Sequence, residues 1–167
     1  AINQDQKKLM EEMVEKRGRL GRKNGKGFYD YPEKGPKKLW PELAELLPKK
    51  LSREQIEALD VDELKARFLV TQAVEAARTM EEGIVTDPRE ADVGSILAFG
   101  FAPYTGGALS YIDGIGAKEF VKIAKGLQKK YGAEFKAPKL LIDMADKGET
   151  FYQRFDPYRK GEVKQAA

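Results

Sequence analysis

The stretch DVDELKARFLVTQAVEAARTMEEG, residues 60 to 83, decides the architecture that the sequence predicts. Asp60 and Glu63 have the spacing of a capping box, and Gly83 stands where a glycine commonly ends a helix. Between them, apolar side chains cover well over one face of a helix, which is typical of a helix at the centre of a domain. We therefore predict a long central helix over 61–82.

The segments on either side predict further helices and no sheet. Serine, aspartate or proline stands at several helix starts, and glycine follows most of the apolar stripes. Helices are expected over 5–17, 39–47, 52–59, 88–98, a short stretch through 111–112, 117–131 and, as the last helix, 138–147. Since no segment sustains the alternation of apolar and polar residues that a half-buried strand shows, we predict an all-α fold.

The composition of the chain argues against a nucleic-acid partner and against a membrane span. The 167 residues suffice for one domain with a core, or for one domain and an ordered arm. Thirty basic and 27 acidic residues leave a formal charge of only +3, so we expect no nucleic-acid partner. No apolar run approaches the roughly 18 to 20 residues of a membrane span, and we expect no such span. The absence of cysteine fits a reducing compartment, and we expect a soluble, cytoplasmic protein.

Histidine is absent as well as cysteine. This removes the commonest general base, the commonest metal ligand and the thiolate nucleophile, although Glu, Asp, Lys and Tyr remain. The acidic residues near predicted helix ends are better explained as caps and dipole partners than as an acid–base pair; they are Glu81, Glu82, Asp87, Glu90 and Asp92. We expect no catalytic, cofactor-binding or metal-binding residue in this chain.

The basic, glycine-rich stretch GRKNGKGFYDYPEKG, residues 21–35, allows three interpretations. A phosphate-binding loop would need a preceding strand and a different glycine spacing. A nucleic-acid patch would use the aromatic residues for stacking, but no second basic stripe accompanies it. We favour a surface turn that leads into a short extended segment.

The turn FGFAPYTGG, residues 99–107, places three glycines, a proline and three aromatic residues within nine positions. Glycine allows close backbone approach, and aromatic rings supply a large apolar surface. Either helices cross closely at this turn or a ligand lies against it. We favour close helix packing.

An internal echo links the two ends of the chain. Leu9, Met13 and Lys16 recur with the same spacing in residues 140–147, and a Phe-Tyr pair follows each set. The echo suggests that residues 1–31 are the tail of a unit whose complete copy lies downstream.

The order of several short motifs resembles the C-terminal helical domain of 3-hydroxyacyl-CoA dehydrogenases, and most closely that of the multifunctional fatty-acid oxidation α subunit. The motifs are EAAR at 75–78, EGIV at 82–85, EAD at 90–92, FGFAP at 99–103, GG at 106–107 and YID at 111–113. In that family, GRKNGKGFYDY at 21–31 resembles the closing motif of the first of two tandem helical repeats.

The resemblance implies a domain plan and a set of partners. Residues 1–35 would be the tail of a truncated first repeat, 36–60 a linker with short helices, 61–155 the second repeat and 156–167 a tail. The family's catalytic pair and its NAD belong to an upstream Rossmann domain, so the resemblance implies no cofactor on this chain and NAD for the parent enzyme. The implied partners are that NAD-binding domain, the first repeat, acyl-CoA and a thiolase subunit.

The resemblance also implies roles for residues around the aromatic turn. Bacterial multifunctional members often carry a substrate-contacting tyrosine at the position of Leu97, where this chain offers an apolar contact. The implied acyl-chain contacts are Leu97, Phe99 and Phe101. The implied structural positions are Gly25, Gly27, Phe28, Tyr29, Gly100, Pro103, Gly106 and Gly107.

Two hypotheses remain open. The chain is a non-catalytic C-terminal portion of a 3-hydroxyacyl-CoA dehydrogenase, or it is a free-standing helical binding or scaffold module with the same repeat. In either case a repeat that lacks its partner repeat leaves an apolar face uncovered, so we expect the isolated chain to form a homodimer.

Overall fold

The computed structural model describes residues 4–46 and 51–156, and the chain divides into two compact units, Ala1–Leu59 and Asp60–Ala167. Helices predominate in the described ranges, which confirms the predicted all-α class. Within those ranges no helix is both long and apolar enough to cross a membrane. The α-helices are α1 (Gln4–Glu11), α2 (Leu43–Leu46), α3 (Arg53–Glu57), α4 (Val61–Glu81), α5 (Pro88–Phe99), α6 (Ala108–Ile115), α7 (Ala117–Tyr131), α8 (Lys139–Lys147) and α9 (Phe151–Phe155).

The first unit contains a small hairpin that the sequence analysis did not predict. Strand β1 (Tyr29–Asp30) pairs antiparallel with β2 (Lys38–Leu39), and the Trp40 amide extends the pairing to the Phe28 carbonyl at 3.0 Å. Two residues per strand are too few to produce a period-two pattern. The hairpin also corrects the predicted helix over 39–47, because α2 begins only at Leu43; residue 47 lies outside the described residues.

Arg19 holds the first unit together. Its side chain is 8% exposed, and its guanidinium lies 4.2 Å from the centre of the Trp40 ring. The same guanidinium donates to the Gly27 carbonyl at 2.7 Å and pairs with the Asp30 carboxylate. A buried guanidinium requires such partners, and here they join the segment after α1 to β1 and to Trp40, the residue after β2.

The central helix α4 has the predicted extent, but one of its signals acts differently. The Asp60 carboxylate accepts hydrogen bonds from the Asp62 and Glu63 amides, both at 3.0 Å, and so caps the helix. The Glu63 side chain does not complete a capping box. It accepts hydrogen bonds from the Tyr131 hydroxyl and the Lys130 ammonium, so it fastens α4 to the end of α7.

The core of the second unit forms where α4, α6, α7 and α8 meet. Its fully buried members are aliphatic or aromatic and come from every one of these helices: Val70, Ala73, Val74, Ala77, Leu109, Ile112, Phe120, Ala124, Leu141 and Met144. Helix α9, which follows the helix predicted to be last, adds Phe151 to this core. The described part of the second unit, residues 60–156, therefore contains one more α-helix than the sequence analysis predicted.

Candidate functional site

The turn between α5 and α6 is built from backbone conformations that favour glycine. Gly100 ends α5 at a φ of 72°, and the Phe101 amide then donates to the Ser95 carbonyl at 3.0 Å. Pro103–Thr105 forms one 3-10 turn, and Gly106 leaves it at a φ of 83°. The Thr105 hydroxyl closes the turn by donating to the Ala102 carbonyl at 2.7 Å. The chain thus reverses direction through hydrogen bonds of its own.

Asp92 is the polar centre beneath this turn. Its side chain is 2% exposed, yet it accepts hydrogen bonds from the Leu109 amide at 2.7 Å and from the Ser110 amide at 3.1 Å. The Ser110 hydroxyl at 2.5 Å and the Tyr152 hydroxyl at 2.9 Å complete its partners. A carboxylate at the amino end of α6 also faces the positive pole of that helix. Asp92 is therefore a cap, as its type suggested, but it caps α6 rather than its own helix.

Gly107 lies directly against Asp92. Its φ is 124°, and a Cβ atom added there would lie 2.4 Å from the Asp92 Cβ and 2.5 Å from the Asp92 Cα. Side chains with a Cβ rarely adopt such a φ, and no Cβ tolerates such a distance. The glycine is required by close approach between α5 and the start of α6.

A second carboxylate fixes α9 in the same way. The half-buried Asp113, on α6, accepts hydrogen bonds from the Phe151 amide at 2.9 Å and the Tyr152 amide at 3.3 Å. Burial raises the pKa of Asp113, and the two amide donors act against that rise. The pKa of the Tyr152 hydroxyl is also raised, first by burial and then by its hydrogen bond to Asp92. Two carboxylates thus tie α5, α6 and α9 together.

The three predicted acyl-chain contacts do not lie on one surface. Leu97 and Phe99 are 79% and 56% exposed, whereas Phe101 is 1% exposed. The Phe101 ring packs edge-on against Tyr111, with 6.0 Å between ring centres. The end of α5 therefore presents Leu97 and Phe99 to the outside, and Phe101 anchors the turn that follows.

An apolar groove of about 430 Å³ runs between α4 and α5 beside this turn. Phe99 lines it and Leu97 does not, because Leu97 points away on another face of α5. The apolar part of its lining consists of Ala76, Val85, Ala91, Gly94, Ala98 and Phe99. Such a lining can accept an aliphatic chain or an apolar side chain. Within the described residues, no group of three or more Asp or Glu side chains is arranged to hold a metal ion.

The glycine-rich stretch of the first unit satisfies its own backbone. The Gly21 and Lys26 backbones exchange hydrogen bonds at 2.7 and 3.1 Å, and the Gly25 amide donates to the Arg22 carbonyl at 3.4 Å. Gly25 has a φ of 74°, and a Cβ on Gly27 would lie 2.8 Å from the Gly21 Cα. A phosphate cradle needs amides that point outward, whereas these amides are engaged. The geometry matches the surface turn that the sequence analysis favoured.

The functional side chains that sequence reasoning missed are those with distant partners. The Asp92 carboxylate joins residues 17 and 18 positions away and Tyr152 60 positions away. Arg19 was not singled out, and its partner Trp40 stood inside a predicted helix. A local signal left unused was Thr150 with Gln153, whose side chains form the capping box of α9.

Comparison with known proteins finds curated relatives that are named fatty acid oxidation complex subunit alpha. The chain is 40% identical over 134 residues to the fatty acid oxidation complex subunit alpha of Shewanella amazonensis, which covers 80% of this chain and 19% of that protein. The subunit of Shewanella loihica is 39% identical over 135 residues, which is 81% of the chain and 19% of the relative. The subunit of Pseudomonas savastanoi is 39% identical over 155 residues, which is 90% of this chain and 21% of that protein. No protein-family model matches the chain.

These matches confirm the resemblance that the order of the motifs indicated. The chain spans about one fifth of the length of the curated relatives that it matches.

Proposed function

We propose that this homologue of one segment of the fatty acid oxidation complex subunit alpha is the C-terminal, non-catalytic portion of an NAD-dependent 3-hydroxyacyl-CoA dehydrogenase of fatty acid β-oxidation. The observation that carries the proposal is the identity of 39–40% over 80–90% of the chain to proteins of that name. In this proposal the parent enzyme oxidises 3-hydroxyacyl-CoA to 3-oxoacyl-CoA in the cytoplasm, and its NAD is bound upstream of this chain.

The role of this portion in the parent is to support the acyl-CoA cleft and the assembly of the enzyme. The network around Asp92 fixes the turn after α5, and a fixed turn holds exposed apolar side chains in place. In the proposal Leu97 and Phe99 offer apolar contact to an acyl chain, and Phe101 anchors them from the core. The groove between α4 and α5 adds apolar surface next to Phe99.

The proposed partners of this chain are those of the proposed parent enzyme. They are the upstream NAD-binding domain, the first helical repeat, the acyl-CoA substrate and a thiolase subunit. Residues 1–35 would close the first repeat, 36–60 would link the repeats, 61–155 would form the second repeat and 156–167 its tail. Where the chain is isolated, its exposed apolar side chains would associate in a homodimer, which light scattering coupled to size exclusion tests.

A direct test compares the native gene product with this chain. We expect the native product to be several times longer than 167 residues and to reduce NAD when given a 3-hydroxyacyl-CoA, while the 167-residue chain alone does not. Mass spectrometry of the native product and the absorbance of NADH give the two measurements. A native product of the length of this chain, without dehydrogenase activity, would favour the free-standing binding module instead.

The acyl-chain role has its own test in the full-length enzyme. Phe99→Ala removes an exposed ring, so we expect KM for a long-chain 3-hydroxyacyl-CoA to rise about three- to tenfold while that for a four-carbon substrate changes little. Phe68→Ala is the matched control, because Phe68 is also an exposed aromatic side chain (70% exposed) and does not line the groove. Equal changes for both chain lengths would contradict the role of Phe99.

A further inference from the structure

Helix α7 carries a stripe of lysines along one side. Lys118, Lys122, Lys125 and Lys129 follow one another at spacings of four, three and four residues, which places them on one face of a helix. All four are exposed. At a rise of about 1.5 Å per residue the stripe is about 16 Å long.

Few carboxylates among the described residues neutralise the charge of the stripe. Lys122 pairs with Glu119 at 3.3 Å, but no described carboxylate forms an ion pair with Lys118, Lys125 or Lys129. Like charges three and four residues apart repel and lower the stability of the helix that carries them. Among the other exposed lysines of the second unit, Lys65, Lys130 and Lys147 each have a carboxylate partner. Lys136 and Lys139 have no ion pair among the described residues, but they do not belong to a row of cations along one helix face.

The lysines form one wall of a groove between α7 and α8. The groove has a volume of about 490 Å³, and Val121, Gly126, Ile142 and Ala145 supply its apolar or small lining residues. Asp146 stands on the α8 side. Gly126 lies within α7, and the space that a side chain would occupy there is open. Helix α7 therefore protrudes least at the middle of the groove.

We propose that this groove binds an acidic amphipathic helix of a partner protein. A helix can lay its apolar face on the partly exposed Ile142 and Ala145, with the buried Val121 at the base of the groove, while carboxylates along one of its edges meet the lysine stripe. Small residues at 126 and 145 let the two backbones approach. Asp146 on the opposite wall favours a basic residue on the other edge of the partner, so the charges of the two walls also fix its orientation.

The length, charge and concave shape of this surface favour an acidic helix over other partners. A stripe of four cations over about 16 Å matches the glutamates of about three helical turns. The surface is concave between two helices, whereas the headgroups of a bilayer present a flat surface. The site involves neither the turn after α5 nor the groove beside it, so the inference is independent of the proposed function.

The test uses the 167-residue chain and a fluorescent synthetic peptide of about 16 residues, long enough to form a helix. The peptide carries a leucine and alanine stripe flanked by glutamates, and a second peptide carries glutamine in their place. We expect the glutamate peptide to bind with micromolar affinity that weakens as salt is raised, and the glutamine peptide to bind at least tenfold more weakly.

The site is located by two matched double variants. Lys125→Glu with Lys129→Glu reverses the stripe and is expected to weaken binding about tenfold or more. Lys65→Glu with Lys136→Glu makes the same change of net charge outside the groove and is expected to change affinity less than twofold. Circular dichroism verifies that both variants remain helical.

Three results would overturn the proposal. They are equal losses in the two double variants, equal binding of the two peptides, and the absence of peptide binding at 100-fold excess over the expected dissociation constant. Binding of the chain to anionic lipid vesicles, with no binding of the peptide, would likewise overturn it and identify the stripe as a membrane-facing surface.

Discussion

At the scale of single residues, the space at Gly107 is the tightest constraint on the turn after α5. Gly107→Ala combines a φ of 124° with a Cβ placed 2.4 Å from Asp92, so the backbone must move. We expect the free energy of unfolding to fall by about 2–4 kcal/mol. Urea denaturation followed by circular dichroism measures it.

A second glycine in the next helix is the control for that prediction. Gly114 lies inside α6, and a Cβ built there meets no atom within 4 Å. Gly114→Ala is expected to leave stability unchanged or to raise it by up to about 1 kcal/mol. If Gly107→Ala were as well tolerated as Gly114→Ala, the close approach between α5 and α6 would be refuted.

Two aspartates of the second unit respond to pH in opposite directions. Burial raises the pKa of Asp113 above its ordinary value of 3.8, so the folded state binds this proton more tightly than the unfolded state does. Its contribution to stability grows as pH falls through the raised pKa and is complete below 3.8. A hydrogen bond from Arg89 lowers the pKa of Asp87, whose contribution is present above 3.8 and lost as pH falls through the lowered pKa.

These opposite signs give a testable difference. Between pH 7 and about pH 3, the stability of Asp113→Asn relative to the unaltered chain should fall as pH falls, because the variant lacks the gain on protonation. The stability of Asp87→Asn relative to the unaltered chain should rise over the same range. Denaturant titrations at several pH values provide the comparison. Parallel trends in the two variants would contradict the assigned causes.

At the scale of elements, α9 depends on tertiary contacts. Five residues are too few for a stable helix in isolation, so α9 is held by its capping box, by Asp113 and by the burial of Phe151. Phe151→Ala should lower the free energy of unfolding by about 3–5 kcal/mol. Tyr152→Phe removes only the hydroxyl, leaves three donors on Asp92 and should cost about 1–2 kcal/mol.

Which of these two variants loses more stability shows which contact is the main anchor of α9. Thermal and urea unfolding of both proteins establish it under the same conditions. If Tyr152→Phe cost as much as Phe151→Ala, the hydroxyl on Asp92 rather than burial would be the main anchor of α9. Near-native stability of Phe151→Ala would show that α9 is not part of the core.

The elements that sequence reasoning predicted well are those whose ends carry local signals. Asp60 begins its helix as predicted, and the Ser52–Gln55 capping box, Gly100 and Gly148 lie at or next to the predicted ends of their helices. Each of these signals acts within a few residues of itself. Glu63 had the correct spacing for a capping box, yet Lys130 and Tyr131, 67 and 68 residues away, compete for its carboxylate. Partners that the fold brings together from such distances leave no trace in a short window of sequence.

The candidate site was predictable only in part for the same reason. Glycine, proline and aromatic residues marked the turn after α5, since their backbone preferences are local. The separation of exposed Leu97 and Phe99 from buried Phe101 depends on how α6 lies against α5, which residue types alone do not encode. The groove between α4 and α5 is likewise a product of packing.

At the scale of the whole molecule, the second unit has the components of an independent domain. It has a core from α4, α6, α7, α8 and α9, and the described hydrogen bonds of that core stay within it. We expect the shortened chain Asp60–Ala167 to be helical and to unfold in one cooperative transition. Circular dichroism and calorimetry test this. A broad transition together with strong binding of a hydrophobic dye would show that the first unit is required for the native state.

The contact between Gly107 and Asp92 also has a consequence for how related sequences can diverge. A larger residue at 107 would meet the Cα as well as the Cβ of residue 92, so it becomes acceptable only after the backbones of α5 and α6 move apart. Such a movement, like a shorter residue at 92, leaves the donors at 109, 110 and 152 without their acceptor. Neither position can therefore drift alone. Among descendants of one ancestor, the two sites should be inherited as a single character, and a lineage that has replaced either residue should also have changed the backbone path between α5 and α6.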